Sequence, residues 1–215
     1  MTCSSGAARN AIIFAGADFN GKVNIGTELI ICCDSGLRHA RALGLTPDYI
    51  VGDMDSVDPD TLNFYESRGV PVMRYSAKKD MTDLEIAVKL ALDKNVSGIT
   101  VFGALNGRLD HVLGSIHALV PALSAKTPAV LEGENERVTL TDGISAVSAR
   151  KGTIISMFPL TSAVLGVTTR GFEYPLNDGA LTIGSARGLS NVLTEDKAEI
   201  SVKEGILVII ENKMV

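Results

Sequence analysis

Five short apolar runs in the first half of the chain each end at a residue that turns the backbone or carries polarity. Ala11–Ala15 (AIIFA) ends at Gly16, Leu29–Cys33 (LIICC) at Asp34, and Tyr49–Val51 at Gly52. Val70–Tyr75 ends at Ser76 and Ile99–Phe102 at Gly103. Continuous apolar runs of this length suit strands covered on both faces, as in a parallel sheet. Helix patterns lie between them. Leu37–Leu43 is closed by Gly44, with Asp34 or Ser35 as cap, and Pro59–Arg68 carries Asp58 as cap and Gly69 as stop. Thr82-x-x-Glu85 reads as a capping box before a helix whose Leu84, Ala87, Val88 and Ala91 share one face. Leu109–Leu123 reads as one last helix with Pro121 near its end. Alternating strand and helix predicts a parallel, Rossmann-like sheet with right-handed crossovers.

From Ala129 the texture changes to short β-rich runs: Val138–Thr141, Ala146–Ala149, Thr153–Phe158, Val164–Thr169, Leu181–Ile183, Ile200–Val202 and Ile206–Ile210. Asp142-Gly143, Asn177-Asp178-Gly179 and Glu204-Gly205 mark turns between them. The expectation is α/β plus all-β. An α/β domain spans residues 1–125, and a small antiparallel β-sandwich (or barrel) spans 126–215, the boundary lying near Ser124–Pro128.

Composition sets the outer limits. With 46% apolar and 21% charged residues the chain can bury a core, which excludes a disordered protein. No apolar stretch approaches the roughly 18 residues of a membrane span. No basic region precedes the first apolar run, so no signal peptide is expected. The net charge of −5 (20 − 25) argues against a nucleic-acid partner. Cys3, Cys32 and Cys33 fit neither a disulfide framework nor a zinc cluster, which points to a reducing cytoplasm.

The chemistry gathers where the strands end. Asp34 follows the second run and Gly52-Asp53-Met54-Asp55-Ser56 the third. Lys78-Lys79-Asp80-Met81-Thr82-Asp83 follows the fourth, and Gly103 through His111 the fifth. In an open parallel sheet ligands bind outside the carboxyl ends of the strands, so these clusters share one rim. Carboxylates on one rim repel unless a cation sits among them, and Mg²⁺ takes one or two carboxylates with waters and phosphate oxygens. Asp53 and Asp55, two apart, point to one side if their segment is extended. Lys78, Lys79 and Arg108 suit phosphate oxygens, while Gly103 and Gly107 let backbone approach a polyphosphate. The rim therefore reads as a magnesium–nucleotide site. Bland readings stand beside it. Asp-x-Asp is often a solvated turn, Thr82 and Glu85 are explained by a cap alone, and Lys78-Lys79 by a solvated loop. His39 and His117 read as structural, whereas His111 adjoins the cluster.

These motifs, in this order, resemble those of the thiamine pyrophosphokinase family. Asp34-Ser35-Gly36 is similar to its Asp-Gly-Gly turn, with Ser35 a departure. Pro47-Asp48 through Gly52-Asp53-Met54-Asp55-Ser56 resembles its Pro-Asp…Gly-Asp-x-Asp-Ser segment. Asp80-Met81-Thr82-Asp83 and Gly103–His111 resemble its Asp-x-Thr-Asp and Gly-x-x-Gly-Arg-x-Asp-His motifs. Thr168–Leu176 and Gly188-Leu189-Ser190-Asn191 resemble its substrate-domain signatures. Val192 replaces a common Glu, and the chain has no Trp. The resemblance implies transfer of the diphosphoryl group of ATP to the hydroxyl of thiamine, giving thiamine diphosphate and AMP. It implies catalytic Asp53, Asp55, Asp83 and Asp110 around Mg²⁺ and the phosphates, with Asp53, Asp55 and Asp83 as metal ligands. Asp55 is the candidate nearest the thiamine hydroxyl. Asp34, Lys79, Asp80, Thr82, Gly103, Gly107 and Arg108 fall on the nucleotide side, and Ser190 and Asn191 on the thiamine side. It further implies a homodimer whose active sites are each shared between subunits. A diphosphokinase for another hydroxymethyl acceptor, such as a pterin, and a non-catalytic nucleotide- or thiamine-sensing module are the alternatives. A sensor is expected to lose part of the acidic rim, which is complete here. A plain oxidoreductase is disfavoured because no Gly-x-Gly-x-x-Gly follows the first strand.

Overall fold

The computed structural model describes residues 9–76 and 80–213. The chain divides into two compact units at Gly133/Glu134.

The first unit is built on six parallel strands: β1 (Ala11–Phe14), β2 (Leu29–Cys33), β3 (Tyr49–Gly52), β4 (Val72–Arg74), β5 (Ile99–Phe102) and β6 (Ala129–Glu132). Their spatial order is β6-β5-β1-β2-β3-β4. The sixth strand has no counterpart among the expected runs. Its Ala-Val-Leu-Glu is short and only partly buried, yet it pairs in parallel with β5 from Ile99↔Ala129 to Phe102↔Glu132. That pairing draws residues 126–133 into the first unit and moves the boundary beyond Ser124–Pro128.

Both faces of the sheet are covered, as the uninterrupted burial of β1 and β2 requires. On one face Ile12, Phe14, Ile30, Cys32 and Ile50 join Leu37, Ala40 and Tyr65 in a single core. Leu37 and Ala40 belong to α1 (Leu37–Ala42) and Tyr65 to α2 (Pro59–Glu66). Tyr65 is 1% exposed and satisfies its hydroxyl by donating to Leu45 O at 2.8 Å. Against β1–β3 also packs α3 (Asp83–Asp93), through its buried Leu84, Ala87, Val88 and Ala91. Asp58 caps α2 by accepting the Thr61 N–H, with Pro59 at the first helical position. The expected single helix 109–123 is two: α4 (Leu109–His117) and α5 (Val120–Ser124). The break is a matter of backbone chemistry, because Pro121 has no N–H to bond back to residue 117 and sits in the first turn of a new helix.

No helix joins β1 to β2. Residues 15–28 run as a loop, and Phe19, Val23 and Ile25 in it pack onto the α1/α2 core. The chain steps outward from β1 to β4 and then crosses to the other side of β1 to form β5. The loops after β1 and β5 therefore flank the sheet's topological switch point.

The second unit is an antiparallel sandwich of eight strands: β7 (Glu136–Thr141), β8 (Ile144–Ser148), β9 (Ile154–Pro159), β10 (Ala163–Arg170), β11 (Gly179–Thr182), β12 (Asn191–Val192), β13 (Lys197–Ser201) and β14 (Leu207–Asn212). One layer runs β12-β9-β14-β7 and the other β11-β10-β13-β8. Ile155, Met157, Leu207 and Ile209 of the first layer share a core with Val147, Val164, Val167, Leu181 and Ile200 of the second. The two-residue strand β12 has no apolar run to announce it.

Candidate active site

At the carboxyl ends of the first unit's strands lies an open cleft of about 860 Å³. Its lining comes from every cluster the sequence singled out in this half: Asp34, Asp53, Asp80 to Glu85, Gly103 to Arg108 except Leu105, and Asp110 with His111. Ala15–Ala17, Cys33, Ser35, Ser56, Gly114 and Ser115 complete the wall. Lys79 falls outside the described residues.

Asp34 is the centre of the acidic side. It opens a single 3-10 turn directly after β2 with a left-handed backbone, φ 42°. A non-glycine residue there is strained, and such strain persists where surrounding bonds over-determine it. One such bond is present: Asp34 Oδ1 accepts the Met54 N–H at 3.1 Å. Burial pushes the Asp34 carboxyl up to about 6. The Met54 N–H pulls it down, while the bond and charge of Asp83 and the charge of Asp53 add to the rise. Gly52 makes this packing possible. A β-carbon there would stand 1.8 Å from Asp34 Oδ1, and its φ of 147° favours glycine.

Asp53 and Asp55 are not presented side by side. Met54 is left-handed (φ 70°), and Asp53 Oδ1 accepts the Asp55 N–H at 3.0 Å, so the segment turns instead of extending. Asp53 is half-buried and lines the cleft, whereas Asp55 is exposed on the turn beside it, outside the lining. Among the described residues no three His, Cys, Asp or Glu side chains form a ready-made metal cage. The donors that do converge, Asp34, Asp83 and Asp53, are hard oxygens crowded until one carboxyl holds its proton more tightly. A divalent cation with one or two carboxylates and an outer shell of water or phosphate oxygen fits that chemistry.

Asp83 is the first residue of α3, where the helix dipole favours its charge. Its carbonyl accepts the Cys33 thiol at 3.7 Å. Thr82 is the cap. Its hydroxyl accepts the Glu85 N–H at 3.2 Å, and the Glu85 carboxylate accepts the Thr82 N–H at 2.7 Å. The capping box is thus real, and Thr82 lines the cleft as well.

The opposite wall is the loop after β5. Gly103 (φ 69°) serves packing: a β-carbon would meet Ala15 O at 2.5 Å, Ala17 O at 2.8 Å and His39 Nε2 at 3.2 Å. Gly107 (φ 99°) has open space around it and leaves its backbone approachable. Arg108 forks onto Asp110, with Nε at 3.1 Å from Oδ1 and Nη2 at 2.6 Å from Oδ2. That fork holds the Asp110 carboxyl below the usual range and raises the guanidinium. Both side chains are largely exposed.

In the second unit, Ser190 is exposed and left-handed (φ 55°), its N–H donating to Ser156 Oγ at 3.1 Å. Asn191 is buried, and its amide is committed to backbone. Oδ1 accepts from Tyr174 N at 3.1 Å and Val192 N at 2.9 Å, and Nδ2 donates to Tyr174 O at 2.8 Å. Asn191 therefore fixes the Phe172–Pro175 turn beside β12, and Ser190 is the exposed member of the pair. The sequence motifs include Gly52 and Asn106, and Gly16 ends the first run, but none of the three carries an individual role there. A glycine directly after a strand and before an acidic pair was the available signal for Gly52; the other two emerge from contacts between segments distant in sequence.

Residues 22–131 match the family model described as thiamin pyrophosphokinase, catalytic domain, and residues 134–207 that described as thiamin pyrophosphokinase, vitamin B1 binding domain. The thiamine pyrophosphokinase of Bacillus subtilis (strain 168) is 30% identical over 186 residues, covering 86% of this chain and 87% of that protein. A crystal structure of the Bacillus subtilis enzyme superposes with a TM-score of 0.85 at 28% identity, over 96% of this chain and 100% of that one. That of thiamin pyrophosphokinase from Geobacillus thermodenitrificans gives 0.80 at 26%, over 94% and 97%. Two consecutive domain models that together span most of the chain, and a relative at this identity and coverage, carry the conclusion that this chain belongs to the thiamine pyrophosphokinase family.

Proposed function

We propose that this protein transfers the diphosphoryl group of ATP to the hydroxyl of thiamine, giving thiamine diphosphate and AMP. Family membership supports the reaction. The observation that carries its location is the crowding of Asp34, Asp83 and Asp53 in one cleft, opposite the Gly107–Arg108 wall. Diphosphoryl transfer asks for in-line positioning and charge neutralisation more than for covalent help. One or two of Asp34, Asp53 and Asp83, with water and phosphate oxygens, would hold Mg²⁺, which when bound neutralises phosphate charge at the transferred group and the leaving AMP. Arg108 exchanges part of its fork on Asp110 for phosphate oxygens, a bidentate match a guanidinium makes well. The Gly107 backbone admits the polyphosphate, and Asp80 and Thr82 border it. Asp55, exposed beside Asp53, is assigned to the acceptor hydroxyl, orienting it or accepting its proton. Ser190 contacts thiamine, held in place by the Asn191 clamp. We further infer that the protein acts in the cytoplasm as a homodimer whose subunits share each site. Among the described residues no helix is long and apolar enough to cross a membrane.

The test is release of AMP from ATP in the presence of thiamine and Mg²⁺. Thiamine-dependent AMP that chelator abolishes and Mg²⁺ restores is the expected result. ATP and thiamine binding without AMP would replace the enzyme with a sensor.

A further inference from the structure

A doubly wound sheet opens a crevice where the loops after two neighbouring strands run apart, here after β1 and β5. In this protein the two loops are stitched together at its base. Ala17 N–H donates to Gly103 O at 2.8 Å, and Gly103 itself packs against the Ala15 and Ala17 carbonyls. Three side chains then grip three consecutive residues of the β1 loop. Arg38 Nη2 donates to Gly16 O at 2.9 Å and to Asp18 Oδ1 at 2.7 Å. His39 Nε2 bonds Ala17 O at 2.9 Å. Asn106 Nδ2 donates to Asp18 O at 2.9 Å.

The His39 bond defines its own tautomer, because a carbonyl only accepts, so the proton is on Nε2. The ring is 8% exposed, lodged against Phe14 and Phe19, with centroids 6.1 and 6.5 Å away. Phe19 in turn packs on Phe102 of β5 at 4.9 Å. Arg38 and His39 are adjacent on α1, so one helix holds the loop from two directions. Asn106 belongs to the same Gly103–Arg108 wall that lines the cleft. Its bond to Asp18 makes the position of that wall depend on the position of the β1 loop.

We infer that Arg38 and His39 are positioning residues for the nucleotide. Through the Gly16–Asp18 loop and Asn106 they set where the Gly103–Arg108 wall stands relative to the Asp34–Asp83 side of the cleft. The inference rests on the reading of this cleft as the ATP site. Neither side chain need touch ATP. Loosening the clamp lets the wall drift, and small misplacements at a positioned phosphate are costly.

The experiment compares Arg38→Met, His39→Leu and His39→Gln with the unaltered protein. It measures titration calorimetry of ATP with Mg²⁺, KM for thiamine, and Tm. Glutamine keeps an N–H donor near the place of Nε2; leucine removes it. Arg38 is half-exposed, so its replacement spares the core should the His39 variants fold poorly. Arg38→Met and His39→Leu are expected to weaken ATP binding about tenfold or more with thiamine KM unchanged, and His39→Gln to recover most of that loss. ATP affinity equal to that of the unaltered protein in Arg38→Met overturns the inference. So does a loss that follows Tm and raises both substrates' constants together. Failure of the unaltered protein to bind ATP strikes the nucleotide reading instead, so the two failures are separable.

Discussion

At the residue scale, the structure turns on how closely carboxylates can be packed. Gly52 is not there to approach a phosphate; it vacates the space that Asp34 Oδ1 occupies. Gly52→Ala should force the Asp34 carboxylate away and hold alanine at a φ of 147°. We expect a loss of about 1–3 kcal/mol in urea unfolding and a fall in kcat of about 10²-fold. Wild-type turnover in that variant would remove Asp34 from the reaction. His39 provides a pH signature. Burial lowers its pKa in the folded protein below the ordinary 6.5, with the nearby Arg38 charge adding to the effect and the Ala17 bond opposing it. Between the two pKa values the unfolded chain binds more protons, so the His39 contribution is intact above about pH 6.5 and is lost as pH falls through that window. Tm measured from pH 7.5 to 5 should decline more steeply in the unaltered protein than in His39→Gln. Parallel curves would show that His39 does not titrate in this range.

At the element scale, helix starts carry the site. Both α3 and α4 begin at the cleft, and each brings a carboxylate in its first turn, Asp83 and Asp110. The dipole at each start offsets part of the repulsion that such placement creates. The Thr82–Glu85 box decides where α3 begins and hence where Asp83 stands. Thr82→Ala should cost about 1 kcal/mol in stability, whereas Thr82→Ser keeps the hydroxyl and should cost a few tenths. Chemical denaturation of the two variants checks this, and equal stability would mean that packing of Leu84 and Ala87 alone sets the helix start.

At the scale of the whole molecule, the residues proposed to handle phosphate all belong to the first unit and those proposed to meet thiamine to the second. The proposed homodimer with shared sites makes a sharp forecast from that division. Asp55→Asn and a disruptive Ser190 variant should each be inactive alone. Once subunits exchange, a mixed dimer holds one site with both defects and one with neither. Random pairing makes about half the dimers mixed, so activity should recover to roughly a quarter of the wild-type level. No recovery after exchange has been verified by tagged pull-down would place each site within a single subunit.

Much of this was legible in the chain itself. Local chemistry suffices to place β1, β2 and β5, the Asp58 and Thr82 caps, and the polar clusters at the strand ends. Each rests on periodicity or on a bond spanning three or four residues. What the sequence could not convey depends on partners distant along it. Strand β6 is a strand because β5 lies beside it. The turn at Met54 separates two aspartates that an extended segment would align. Asn191 is spent on Tyr174, and a histidine with no obvious ligand holds a loop against the wall of the cleft. The sequence by itself determined which residues gather at the carboxyl rim, because strand and turn chemistry is local. Only the tertiary structure decided which of them face one another, because burial, crowded charge and the space left by a missing β-carbon arise where remote segments meet.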